Sequence, residues 1–179
     1  MVTMVQSRTS QPRRLTPRAR KVWLTAHIAS SVGGLGAAST MLVLGGAALI
    51  SDRTGFRVAL YEVMHLFDRA VNIPLTAAML VTSLVVALRT KWRLARHWWV
   101  LVKLALSVMV MTVTPLLSVP RVTLMIAALP AGADTGSTGW EIVAISVGTV
   151  LVLTAVTAIS VFKPWGRTRW YRRPSGSAQ

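Results

Sequence analysis

Four long stretches of the chain are apolar on all faces, and most charged residues lie in the segments between them. They cover 22–50, 71–88, 98–118 and 140–162. A helix needs about 20 such residues to cross a hydrocarbon layer. The pattern predicts an all-α fold, a polytopic membrane protein built as a four-transmembrane-helix bundle. Two intervening segments read differently. Residues 56–70 are amphipathic, with Val58, Tyr61, Met64 and Phe67 apolar and Glu62, His65, Asp68 and Arg69 polar. Residues 121–129 are apolar but too short to cross, so they read as a helix extension or a surface-lying segment. Both are expected as short helical extensions on the outer side. Pro74 predicts a kink or restart of the second span, and Pro115 and Pro120 predict a loosened end to the third.

The first stretch is rich in small residues. Ala26, Ser30, Gly34 and Ala38 recur every four positions, and Ala29, Gly33, Ala37 and Gly45 nearly repeat that spacing. In lipid, small residues at this spacing let two helix backbones approach closely. A packing seam through Ser30, Gly33, Gly34 and Ala38 follows.

Composition sharpens this picture. The chain has 179 residues, 53% hydrophobic, with a mean hydropathy of +0.56. That suits one membrane domain over 22–162, flanked by basic tails at 1–21 and 163–179. The first tail is too poor in apolar surface to fold alone. The run over 22–50 exceeds a signal-peptide core, so it is read as a retained transmembrane helix. There are no cysteines, which excludes disulfides and thiolate chemistry.

The net charge of +15 resembles a nucleic-acid signal, but its distribution argues otherwise. Fifteen of the twenty Lys and Arg fall in 1–22, 89–97 and 163–179. All five acids, Asp52, Glu62, Asp68, Asp134 and Glu141, fall on the opposite side of the predicted topology. Short basic loops are retained on the cytoplasmic side. The loop bearing Arg89, Lys91, Arg93 and Arg96 therefore faces the cytoplasm, as do both tails. The expected partners are the bilayer, including its anionic lipids, and a second copy or another membrane protein, with no nucleic acid. The preference for Arg over Lys, with abundant Ala and Val, suggests a high-GC bacterium and its cytoplasmic membrane.

Candidate chemistry is sparse. His27 and Lys103 lie within spans, at about 6 Å past Trp23 and about 7.5 Å past Trp98 by helical rise. His97 sits at the same interface. Ionisable groups within a membrane usually face protein or water, so His27, His97 and Lys103 form a candidate polar pocket. Two histidines on facing helices are also a haem reading. Glu62, His65 and Asp68 stand at i, i+3 and i+6, a candidate outer cation site beside a repelling Arg69. No cofactor is expected; haem and a divalent metal are the alternatives weighed. There is no acid at mid-depth in the spans as drawn, no P-loop and no nucleophile elbow. The leading expectation is a non-enzymatic integral membrane protein, in one version a partner subunit. A small-molecule or ion permease and a haem or metal redox protein are the rivals.

The run His27…Ser31-Val-Gly-Gly-Leu-Gly36, followed by Arg96-His97-Trp98-Trp99-Val-Leu-Val-Lys103, resembles uncharacterised four-helix integral membrane proteins of high-GC Gram-positive bacteria. The resemblance covers roughly residues 20–120. It implies the four-helix membrane fold and no particular activity.

Overall fold

The computed structural model describes residues 16–89 and 98–162. Among them there are helices and connecting turns and no strands. Helix α1 spans Pro17–Ile50, α2 Thr54–Phe67, α3 Ile73–Arg89, α4 Trp98–Ala128 and α5 Thr138–Phe162. A π-helical turn, Asp68–Asn72, joins α2 to α3, so these two run as one long rod. Four helical rods are thus long and apolar enough to cross a bilayer.

Helix α1 begins five residues before the expected boundary at 22. Thr16 caps it, its hydroxyl accepting from the Ala19 N–H at 3.3 Å, and Pro17 sits at its start. Proline suits that position because the first helical N–H has no partner within the helix. The basic loop around Lys91 and the tail at 163–179 lie outside the described residues, as does most of the tail at 1–21.

The expected restart at Pro74 is not a break. Within the π turn the Ile73 N–H bonds back to the Asp68 carbonyl, five residues earlier. This wider turn brings the chain to Pro74 without interrupting the helix. The consequence is functional. The segment around Asp68 is continuous with the second span, in one rod that packs in the bundle.

Pro115 and Pro120 likewise lie inside a continuous α4. An internal proline costs a helix about 3 kcal/mol in water, so packing must hold this part of α4 helical. It does so through Val122, Met125 and Leu129, which bury against Tyr61 and Met64 of α2, Ala48 of α1 and Ile142 of α5. Residues 121–128 are therefore the last turns of α4, as the helix-extension reading has it, and with Leu129 they begin a core rather than a surface-lying segment. Nearby, Arg121 Nε donates to Glu141 Oε2 at 2.6 Å, tying α4 to α5.

A second apolar layer lies further along the bundle, formed by Ala38, Met79, Val110 and Leu153, one from each rod. Helix α1 packs on α2, α3 and α5, so its small residues matter. Ser30, Gly34, Ala37 and Ala38 are buried, whereas Ala29 is exposed. The closest approach is at Gly33, where an added Cβ would stand 3.0 Å from Leu75 Cδ2 on α3. At Gly34 an added Cβ would meet nothing within 4 Å. Gly34 thus belongs to the buried face without being a point of tight contact, contrary to the expected seam. The outer surface stays apolar: Val43, Ile50, Leu116, Leu151 and Val161 are all more than 60% exposed. Surfaces of this kind are rare on soluble monomers.

Candidate functional site

At the end of the bundle where α1 begins, the four rods line a cleft of about 400 Å3 that is open to the bundle's surface. Its wall is mainly aliphatic, with Leu35, Met79, Val100, Leu104 and Leu153 among its members. The structure brings His27 and Lys103 together on this wall. Lys103 Nζ lies 3.2 Å from His27 Nε2, and His27 Nδ1 lies 3.2 Å from Thr82 Oγ1.

The donors and acceptors of this chain fit in one direction. An ammonium has only donors, so Nε2 accepts and the ring proton sits on Nδ1. Nδ1–H then donates to Thr82, whose own hydroxyl donates to the Ala78 carbonyl at 2.7 Å. Ser30 and Ser31 donate to the His27 carbonyl at 3.1 Å and 2.7 Å, which steadies the turn of α1 that carries the ring. Both ring nitrogens are thereby engaged, and His27 as placed has none left for a metal. Lys103 keeps further N–H donors for the cavity. His97, the third member expected here, lies outside the described residues.

Thr82 was not foreseen. Hydroxyls are scattered through every span, and only the rotation of α3 about its axis turns this one toward α1. The signal available was weak: Thr82 falls at the depth of His27 once the two helices are aligned antiparallel.

The expected outer cation site is divided. Glu62 is exposed, His65 half-buried and Asp68 buried. Among the described residues no three His, Cys, Asp or Glu converge as a metal site would require. His65 and Asp68 instead line a second, small cavity of about 40 Å3 on the other side of the Ala38–Met79–Val110–Leu153 layer. Asn72, Thr114, Ser146 and Thr149 share that lining. Asn72 Nδ2 donates to Asp68 Oδ1 at 2.8 Å, while Asp68 Oδ2 is buried without a partner. Thr114 and Thr149 touch at 3.2 Å between hydroxyl oxygens. The missed signal was the i, i+4 pair Asp68 and Asn72 beside an apolar span, obscured by reading Pro74 as a restart.

No family model matches the sequence, and comparison with curated proteins and with solved structures likewise found no match.

Proposed function

We propose that this chain is a non-enzymatic, multi-pass membrane protein that binds an anionic amphiphile in the His27–Lys103 cavity. The observation that carries the reading is a cationic amine held beside His27 in a mainly aliphatic cavity of about 400 Å3, whose other polar groups are the hydroxyls of Ser31, Ser83, Thr157 and Ser160. That volume is within the range of small-molecule sites, and such sites use a few polar groups to orient a mostly apolar ligand. The His27 ring holds the ammonium from one side and leaves its remaining donors for an anionic head. The rim carries exposed Ile28, Val32 and Val161, so an acyl chain meets apolar surface on entry. With the basic loop and tails on the cytoplasmic face, this cavity lies toward the inner leaflet, where anionic headgroups concentrate.

Two sources share that chemistry, a phospholipid and a free long-chain carboxylate. Native mass spectrometry of the protein in neutral detergent separates them, using phosphatidylglycerol, phosphatidylcholine with matched chains, and oleate. Retention of either anionic species well above phosphatidylcholine, lost in Lys103→Met, is the expected result. Equal retention of all three, or no effect of Lys103→Met, would overturn the reading.

A permease is the second reading, favoured by one observation. The two cavities sit on opposite sides of a single apolar layer, since Ala38 lines one and Met79 and Leu153 line the other. Opening that layer would join them. Uptake of labelled oleate into protein-containing liposomes, above that of empty ones, distinguishes transport from binding alone.

A further inference from the structure

We infer that the small cavity at Asp68 is a binding site for a monovalent cation, with Na+ as its natural size class. Its lining gathers a carboxylate, an amide carbonyl and several hydroxyl oxygens, beside the His65 ring and the Ser118 hydroxyl. Asn72 directs its amide N–H at Asp68 Oδ1, which leaves its own carbonyl oxygen available. Ser146 and Thr149 donate to the Ile142 and Ile145 carbonyls at 2.9 Å and 2.8 Å. With the Thr149 proton so placed, the Thr114–Thr149 contact uses the Thr114 proton. The hydroxyl oxygens therefore offer acceptors.

Among these acceptors stands a carboxylate that is 7% exposed, with Oδ2 unpartnered. Among the described residues no Lys or Arg lines the cavity; His65 and Ser118 do, and neither bonds to Oδ2. Arg69, beside Asp68 in sequence, is exposed. An uncompensated carboxylate out of water is strongly unfavourable. A cation coordinated by Oδ2 and neighbouring oxygens removes that penalty, and oxygen-only ligands suit a hard ion. One carboxylate balances one positive charge. The volume, about 40 Å3, admits a single ion with at most a water or two. The site is about 16 Å along α1 from His27, judged from Ala38 in its lining, and does not rest on the reading of the larger cavity.

The test uses the full chain in neutral detergent, with thermal unfolding followed by tryptophan fluorescence as Na+ replaces choline at constant ionic strength. Wild-type protein should show a saturable rise in unfolding temperature. Asp68→Asn keeps the side-chain volume and should lose that rise. Thr149→Val should raise the half-saturating Na+ concentration by about tenfold, and Lys103→Met should leave it unchanged, which separates this site from the amphiphile cavity. Should Asp68→Asn fail to fold, equilibrium dialysis of wild type with radioactive Na+ decides. An unfolding temperature indifferent to Na+, an equal rise in Asp68→Asn, or uptake far below one ion per chain would overturn the proposal and leave a water or a protonated carboxyl there.

Discussion

Lys103 Nζ stands 3.2 Å from His27 Nε2, across 76 residues of sequence and from two different helices. The contact is asymmetric in energy. Lys103 is a charge that needs an acceptor in an aliphatic wall, whereas His27 also has Thr82. Losing the acceptor is therefore worse than losing the donor. His27→Ala should destabilise the protein by about 2 kcal/mol more than Lys103→Met, since a charged group left unsatisfied carries the larger penalty. Thermal unfolding in detergent measures both. The reverse order would mean that Lys103 does not depend on the ring.

The two neighbouring glycines of α1 should respond oppositely to alanine. Gly34→Ala adds a methyl group where nothing lies within 4 Å and replaces the weaker helix former, a gain of up to about 1 kcal/mol. Gly33→Ala forces Leu75 to yield, and Gly33→Leu overpacks the α1–α3 contact by about 1–3 kcal/mol. Unfolding temperatures should rank Gly34→Ala above wild type and Gly33→Leu well below it. Equal losses at both positions would place the close approach elsewhere.

The core around Met125 should outweigh the exposed apolar surface. Met125 is fully buried between α2, α1 and α5, while Leu116 on the same helix is 71% exposed. Met125→Ala leaves a cavity and should cost about 2–5 kcal/mol. Leu116→Ala should stay within about 0.5 kcal/mol, as surface changes do. Chemical unfolding of the two variants in one detergent provides the comparison, and similar losses would contradict the packing described.

In the proposed membrane topology, orientation rests on charge. Neutralising Arg89, Lys91, Arg93 and Arg96 together should give mixed or inverted insertion, because short basic loops are held on the cytoplasmic side. Reporter fusions at Gln179 and within 132–139 would reveal it. A single unchanged topology would show that the tails suffice.

Four apolar spans and the similar depth of His27 and Lys103 were legible in the residues alone, whereas the full length of the second and third rods was not. Hydropathy and helical rise are local properties, and a run such as 140–162 has few alternatives to a helix once its backbone groups must bond internally. Residues 56–70 and 121–129 were read as helical, but as outer extensions. Periodicity says which residues share a face, not what that face meets. Only tertiary packing decided that Tyr61, Met64, Val122 and Met125 form a core, beside which α4 stays helical through two prolines. The rotation of each helix about its own axis is likewise set by its neighbours. That rotation turned Thr82 toward His27, and decided that of the expected seam residues Gly33, not Gly34, is the point of close contact. The π turn had the largest effect. One extra residue in a helical turn shifts the register of all that follows, and local propensity does not encode it. It carried the rod past Pro74 without a break and buried Asp68 among hydroxyls from other helices.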